Sequence, residues 1–244
     1  MRIHCFLILS IGFIFNACKP ETLLDCVNSA GPVREVRRNL SAFTLLKIDS
    51  DIDLTWREST DYYAIIKCGR NLHKKIRLEV SEGYKLLIKN ENQCNWVRDY
   101  DQTMEVELHS PSPDFIAILG YGNINFMDTL KAKEIVFQHY GASKVCLAVK
   151  TNKISIDFAS ANYMDVSGKT EDGWIQTQNF GKFNGSNLSI MNLYLEMRAQ
   201  NDVTLRVNGV LDGFSQSDKN IYLYGNPNIK LEERAKGKII PLAN

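Results

Sequence analysis

Residues 135–153 read IVFQHYGASKVCLAVKTNK, and residues 154–173 read ISIDFASANYMDVSGKTEDG. Both stretches open with an apolar strand, turn at a group of small residues, and continue with a second apolar strand. The small groups are Gly141-Ala142-Ser143 in the first stretch and Ser160-Ala161-Asn162 in the second. Because strand, corner and strand return in the same order after about 20 residues, the stretches read as consecutive copies of one structural repeat.

The repeat extends over the second half of the chain. It divides into six blocks, which are residues 115–134, 135–153, 154–173, 174–192, 193–213 and 214–235. The apolar residues that follow the six corners are Ile124, Val145, Met164, Leu188, Val203 and Ile221. A fixed period of about 20 residues without helices predicts a right-handed parallel β-solenoid, in which each coil stacks on the previous one. An antiparallel sandwich is the alternative, because its strands recur about every 8 to 12 residues.

The first half predicts a strand-rich portion that belongs to the same all-β domain. Short runs with period two are found at residues 43–48, 52–56, 62–67, 76–80, 84–88 and 104–108. Glu82-Gly83, between two of these runs, indicates a hairpin. We therefore expect a signal peptide at 1–17, a lipidated N-terminus and tether at 18–39, and a solenoid domain at 40–244.

The N-terminus has the pattern of an exported protein. An apolar run from Cys5 to Phe15 follows Arg2, and its length suits the h-region of a signal peptide but not a membrane span. Ala17 directly before Cys18 resembles the lipobox of bacterial lipoproteins, although Phe15 stands where Leu is usual. We expect Cys18 to carry the lipid that anchors the chain in the outer membrane, on either the periplasmic or the surface face.

Four cysteines remain for the mature domain, and export favours disulfides over metal sites. Cys26 and Cys94 lie in polar, irregular stretches that can adjust to disulfide geometry, so we favour their pairing among the three arrangements. Cys68 and Cys146 end apolar runs and look like small core residues. With no CxxC motif and only 4 scattered His, no metal is expected.

Composition excludes some classes of partner. The chain has 29 Lys plus Arg against 28 Asp plus Glu, and loss of Arg2 with the signal leaves 28 against 28. A neutral chain has no basic excess for nucleic acid, and we expect no long-range steering toward strongly charged partners. Asn is frequent, with 21 residues, and much of it stands with Gly and Ser at the predicted corners.

Several segments resemble a known family. They are FTLLKIDSDIDL at 43–54, Asn71-Leu72, and the corner Gly120-Tyr121-Gly122-Asn123-Ile124. Together they resemble the putative auto-transporter adhesin, head GIN domain family, which is found largely in exported proteins of Bacteroidetes. The resemblance covers residues 39–242 and implies a β-solenoid without an established reaction. A subgroup of the family is similar in having Asp25-Cys26 ahead of the domain together with the segment at residues 92–96. This resemblance supports the Cys26–Cys94 pairing.

Catalytic chemistry has weak support in the sequence. Pectinase-like solenoids place paired carboxylates on one outer face, and the candidates here are Asp51 with Asp53, and Asp157 or Asp165. Alternating Asp on an exposed strand is more simply explained by solubility, and no His or Arg cluster accompanies these residues. Nucleophile, zinc-protease and phosphate-loop motifs are absent from the sequence, so we expect neither an enzyme nor a cofactor.

Two further features concern ligands and modification. Many aromatic residues lie in or beside corners, and we expect most of them to stack inside the solenoid rather than contact sugars or another protein. They are Tyr62, Tyr63, Tyr121, Tyr140, Tyr163, Phe180, Phe183, Tyr222 and Tyr224. Asp128-Thr129-Leu130 matches the short O-glycosylation sequon of Bacteroidetes exported proteins, with Thr129 as the acceptor.

The sequence therefore predicts an envelope lipoprotein that carries a non-catalytic binding or adhesion-like module. Its partners would be the membrane, through the lipid, and a protein or polysaccharide ligand, but not nucleic acid. A periplasmic structural scaffold and a degenerate carbohydrate-active enzyme are the alternatives.

Overall fold

The computed structural model describes residues 29–81, 83–92 and 104–243. These residues form an all-β structure with one short 3₁₀ turn at His73–Lys75. The strands are β1 Val33–Asn39, β2 Leu45–Asp49, β3 Asp53–Glu58, β4 Tyr63–Gly69, β5 Ile76–Ser81, β6 Lys85–Asn90, β7 Glu105–Ser110, β8 Phe115–Ile118, β9 Asn123–His139, β10 Lys144–Phe158, β11 Tyr163–Thr177, β12 Lys182–Met197, β13 Val203–Ser215, β14 Ile221–Tyr224, β15 Asn228–Ile229, β16 Glu232–Glu233 and β17 Ile239–Pro241.

The long strands β9 to β13 stack in parallel as successive coils of a solenoid. The structure has about 7 turns, about 19 residues apart, which confirms the solenoid and excludes the sandwich. Register brings equivalent apolar residues into columns that run along the axis. One buried column contains Leu54, Ile124, Val145, Met164, Phe183, Val203 and Ile221.

In one coil, that of β12, the residue in this column differs from the sequence prediction. Phe183, not Leu188, follows the corner of its coil and pairs with Met164. Leu188 pairs instead with Gly168, beyond a register shift between β11 and β12. Both residues are buried, so hydrophobicity alone does not distinguish them, and the shift decides which one aligns.

Each coil is folded from straight segments that meet at bends. In β10 the buried residues alternate from Val145 to Thr151, then Asn152 and Lys153 are both exposed, and alternation resumes at Ile154. Two consecutive outward side chains mark a change of strand direction, because a straight strand alternates between its faces. The buried hydroxyl of Thr151 donates to the carbonyl oxygens of Lys133 and Lys153, which holds this bend.

The first half of the chain does not stack in chain order. β2 lies between β6 and β8, and β3 lies between β7 and β9, all in parallel. β5 and β6 form the predicted antiparallel hairpin. β4 then pairs antiparallel with β7, and β1 pairs antiparallel with β4. The N-terminal portion therefore covers the end of the solenoid that would otherwise expose its core.

The predicted tether at 18–39 is wrong for its last seven residues, because these form β1. Six of the seven β1 side chains are exposed, so the segment has no apolar face and no period-two signal. Its pairing with β4 comes from backbone hydrogen bonding, which the side-chain pattern does not report.

The two ends of the stacked sheet carry residues that discourage further strand pairing. β1 carries Arg34, Glu35, Arg37 and Arg38, and at the other end β17 finishes with Pro241. Charges and proline on an outer strand discourage pairing with another molecule. The ends are therefore poor templates for association through strand edges.

The corners are narrow because the coils touch there. A Cβ on Gly120 would lie 1.9 Å from the carbonyl oxygen of Ser50, and one on Gly141 would lie 2.0 Å from that of Gly120. Asparagine amides join the coils at the same corners. Asn162 Nδ2 donates to Ala142 O at 2.9 Å, and Asn179 Nδ2 donates to Ala159 O at 2.8 Å. These contacts explain the small residues and the Asn in the repeat.

His139 is an exception in the apolar interior. It lies in register between Ile118 and Phe158 and is fully buried, with its ring centroid 5.5 Å from that of Phe158. Neither ring nitrogen has a hydrogen-bond partner among the described residues. Burial lowers the pKa of His139 from its ordinary 6.5 to about 4, so the folded chain keeps this imidazole neutral.

We expect the stability of the domain to fall between pH 6.5 and 4. Below pH 6.5 the unfolded chain binds a proton at His139 that the folded chain does not, while above pH 6.5 both states are neutral and stability is complete. At pH 5 the free energy of unfolding should be about 2 kcal/mol lower than at neutral pH. His139→Leu should unfold at higher urea concentration than the wild type at pH 7.5, and its advantage should widen at pH 5. An identical pH dependence in both proteins would contradict the assignment.

Candidate functional site

Three of the four carboxylates considered for catalysis, Asp53, Asp157 and Asp165, have structural partners, and Asp51 is exposed. Asp53 Oδ1 accepts hydrogen bonds from the backbone N–H of Asn123 at 2.6 Å and from its Nδ2 at 3.1 Å. Asp165 Oδ1 accepts one from Asn184 Nδ2 at 3.1 Å. All three bonds join neighbouring coils. Among the described residues, no group of three or more His, Cys, Asp or Glu could hold a metal ion.

A more distinctive feature is a cleft along the corners where one long strand ends and the next begins, as between β9 and β10, which we call the corner cleft. Its rims carry Tyr121, Tyr140 and Phe180, which are 61%, 42% and 70% exposed. Its floor is made of small residues, namely Gly141, Ala142, Ala159 and Ala161, and its volume is ≈ 320 Å³. Leu119 and Asn179 complete the lining, so no charged side chain lines the corner cleft.

Strand alternation and corner geometry together turn these rings outward. His139 is buried, so its neighbour Tyr140 points to solvent. Each ring also stands next to a corner glycine: Tyr121 follows Gly120, Tyr140 precedes Gly141, and Phe180 precedes Gly181. Because the glycines let the backbones approach closely, Tyr121 and Tyr140 come from adjacent coils. Phe180 lies two coils beyond Tyr140, with the small residues Ala159 and Ala161 on the coil between them.

Tyr140 is held in place by a carboxylate. Its hydroxyl donates to Asp157 Oδ2 at 2.5 Å. Burial first, and then the hydrogen bond and negative charge of Asp157, raise the pKa of Tyr140 to about 12. The phenol therefore stays protonated at physiological pH. Asp157, one of the candidate catalytic residues, orients a ring of the corner cleft.

The expectation that aromatic residues stack inside the solenoid is correct for Phe183 and wrong for the three rings of the corner cleft. Phe183 packs against Phe158 in the core, with ring centroids 5.9 Å apart. Tyr62 is half-buried and packs against the core, with its ring centroid 5.4 Å from that of Phe43. The other predicted rings are half-buried on the outer faces, at Tyr63, Tyr163, Tyr222 and Tyr224. The signal available in the sequence was the position of each ring beside a corner glycine.

The remaining predicted positions are not brought into this site. Thr129 lies half-buried in β9, paired with Ala148 and next to the exposed Asp128. Glycosylation of Thr129 stays a prediction. Cys18, Cys26 and Cys94 lie outside the described residues, so lipidation and the disulfide stay predictions as well.

The two cysteines that were predicted to lie in the core differ in burial. Cys68 is buried, and this burial raises the pKa of its thiol to about 11. Cys146 is only half-buried, which corrects the expectation of a core residue. It lies between the buried Val145 and Leu147, and strand alternation therefore places it on the outer face.

Comparison with known proteins gives a family and a fold. The family model described as "Putative auto-transporter adhesin, head GIN domain" matches residues 42–227. No curated protein matches the sequence. Among the described residues, none forms a helix long and apolar enough to span a membrane.

Solved structures from Bacteroides and Parabacteroides have the same fold. A putative adhesin from Bacteroides fragilis NCTC 9343 is 15% identical, with a TM-score of 0.76 over 86% of this chain and 97% of its own. A putative adhesin from Parabacteroides distasonis ATCC 8503 is also 15% identical, with a TM-score of 0.64 over 87% and 98%. A protein from the same organism titled a putative lipid binding protein is 12% identical, with a TM-score of 0.64 over 87% and 97%.

We expect Asp53 to be important for stability. Asp53→Ala removes the acceptor of both Asn123 bonds and should lower the free energy of unfolding by about 1–2 kcal/mol. Asp53→Asn keeps a carbonyl oxygen as acceptor and should lose less. Urea unfolding measures the effect, with Asp51→Ala as the matched control because that side chain is exposed. Equal losses for Asp51→Ala and Asp53→Ala would contradict the structural role.

Proposed function

The chain belongs to the putative auto-transporter adhesin, head GIN domain family, and from this premise we propose that it is a cell-envelope lipoprotein with a non-catalytic, adhesion-like binding module. The corner cleft is the binding site, and its ligand is a neutral glycan chain. The observation that carries this proposal is the set of three exposed rings around an uncharged floor.

The chemistry of the corner cleft suits sugar rings. The face of an aromatic ring carries partial negative charge, which attracts the C–H groups on the faces of a pyranose. The three rings belong to coils that span about 14 Å, since adjacent strands lie about 4.8 Å apart. This length accommodates two or three sugar units. The small floor residues allow a flat ligand to approach the backbone closely.

The absence of charge in the lining argues for a neutral ligand. A charged chain would have no counter-charge in the corner cleft. An extended peptide is also a poor fit, because recognition by strand addition needs an open sheet edge. At the corner cleft the backbone groups are already bonded between coils, as in Ala142 N to Gly120 O at 3.0 Å and Gly181 N to Ser160 O at 2.9 Å.

The site is rigid before a ligand arrives. The backbone of each corner is fixed by the coil beneath it, and Asn162 and Asn179 add side-chain bonds between coils. The Asp157 carboxylate fixes Tyr140. Binding to a preformed site avoids the entropic cost of ordering it. This saving matters most for a ligand that makes few contacts, such as a short stretch of a glycan chain.

The proposal of a non-catalytic module rests on the engaged carboxylates and on the family. The candidate acids Asp53, Asp157 and Asp165 each accept a hydrogen bond from a neighbouring coil or ring. The family and its structural neighbours are named as adhesins or lipid-binding proteins. Together these observations favour binding over hydrolysis.

The corner cleft can be tested with variants that leave the core intact. A Tyr121→Ser/Phe180→Ser double variant removes two exposed rings and should weaken binding to neutral polysaccharides at least tenfold in affinity electrophoresis or on a glycan array. Tyr194→Ser is the matched control, since Tyr194 is 42% exposed and does not line the corner cleft. Binding that survives the double variant, or that requires a protein ligand, would contradict the proposal.

The envelope location can be tested through Cys18. Cys18→Ser should release the protein from the membrane fraction, because attachment depends on the acyl chains. Cys26→Ser is the control for general effects of losing an N-terminal cysteine and should stay with the membrane. Retention of the Cys18→Ser protein would contradict lipid anchoring. Protease treatment of intact cells then distinguishes a surface adhesion module, which is removed, from a periplasmic scaffold, which survives.

A further inference from the structure

A second concave surface lies along the bends inside the long strands, as at Asn152 in β10, and we call it the lysine groove. Its volume is ≈ 810 Å³, and its lining includes Lys131, Lys133, Lys150, Lys169, Asn152 and Glu171. Lys131, Lys150 and Lys169 are register partners on β9, β10 and β11. They therefore form one row along the solenoid axis. Parallel strands lie about 4.8 Å apart, so the row spans about 10 Å.

The described residues of the protein neutralise only one lysine of the row. Lys131 Nζ pairs with Glu58 Oε2 at 2.7 Å. The ammonium groups of Lys133, Lys150 and Lys169 have no ion pair or hydrogen bond with the described residues. Glu171 is the one carboxylate in the lining. Like charges opposite each other on adjacent strands repel, so an anion bound along the row would relieve the repulsion between Lys150 and Lys169.

The floor of the lysine groove is fixed by buried hydroxyls. Thr151 Oγ1 donates to the carbonyl oxygens of Lys133 and Lys153, and Thr170 Oγ1 donates to those of Asn152 and Asp172. Both threonines are buried. The bends that carry the lysines are therefore held in the same geometry in successive coils, and the charged row is preformed.

We propose that the lysine groove binds a linear acidic polysaccharide, whose successive carboxylate or sulfate groups lie along the row of lysines. Lysine ammonium groups act as point charges on flexible stems, which suits anionic groups whose spacing differs from the coil spacing. Asn152 lies among the lysines and offers hydrogen bonds to sugar hydroxyls.

Other anionic macromolecules fit less well. The lysine groove contains neither an aromatic residue nor Arg, and bases of single-stranded nucleic acid are usually bound by stacking on such residues. A membrane surface would be met by a broad basic face. Here the basic residues form a narrow row, and the neighbouring Lys153 is already paired with Glu134 at 2.9 Å.

The lysine groove is separate from the corner cleft. In β9 the segment from Ile135 to His139 lies between the two surfaces, and the equivalent segment separates them in the other coils. The two sites also differ in ligand chemistry, because one lining is uncharged and the other is basic. The net charge of only +1 over the whole chain conceals this local excess of Lys, so the proposal departs from the expectation of no long-range steering toward strongly charged partners.

The test is isothermal titration of the folded domain with polygalacturonate, dextran sulfate and neutral dextran at low and physiological salt. We expect binding to one or both acidic polymers, none to dextran, and weakening with salt. A Lys133→Gln/Lys150→Gln/Lys169→Gln variant should bind at least tenfold more weakly. The matched control is Lys85→Gln/Lys219→Gln/Lys236→Gln, which removes the same charge at exposed positions outside the lysine groove and should bind like the wild type.

Equal weakening in the control variant, or unchanged binding in the groove variant, would overturn the proposal. Tighter binding to anionic lipid vesicles or to single-stranded DNA than to either acidic polymer would also overturn it. If the groove variant does not fold, lysine acetylation of the wild-type protein tests the same proposal. Acetylation of Lys133, Lys150 and Lys169 should slow in the presence of the acidic polymer and not of dextran, while Lys85 is unaffected.

Loss of acidic-polymer binding in the groove variant is distinguishable from failure of the neutral-glycan proposal. The Tyr121→Ser/Phe180→Ser variant should retain acidic-polymer binding, because its substitutions lie in the corner cleft. If that variant also lost acidic-polymer binding, the claim that the corner cleft and the lysine groove are separate sites would be wrong.

Discussion

The parallel, in-register hydrogen bonding between coils is the constraint on which the rest of this structure depends. Once Ile124, Val145 and Met164 are paired, every residue along those strands lies next to its counterpart in the coils above and below. A side chain must therefore suit its neighbours of the same column as well as the core or the solvent. This requirement produces apolar columns inside, close contacts at the corners, and rows of like residues outside.

The same constraint explains where the surface features occur. A row on the outside of a solenoid repeats one chemical group at the coil spacing, as lysine does on β9, β10 and β11. At the corners the backbones of neighbouring coils leave no room for a Cβ at Gly120 and Gly141, and the rings beside corner glycines are turned out to solvent. Both surfaces follow from stacking and need no separate loop or domain. Their rigidity comes from the coils beneath them.

Much of the fold was predictable because its cause is periodic. Apolar residues returning with small corners after about 20 residues indicate stacked coils, and the structure has about 7 of them. Features that depend on non-local pairing were not predictable. β1 has no apolar face yet pairs with β4, and β2 lies between β6 and β8 rather than beside β1. The rings of the corner cleft were found in the sequence but placed in the interior, because one residue of phase decides which side they face.

The sequence by itself determined the fold class, the repeat and the corners, since periodicity and composition are local properties. Only the tertiary structure decided which aromatic rings are exposed, that Asp53 and Asp157 hold neighbouring groups, and that lysines about 19 residues apart form one row. The reason is register. Residues far apart in the chain become neighbours only when the coils stack, and a shift of one residue would move each side chain to the opposite face.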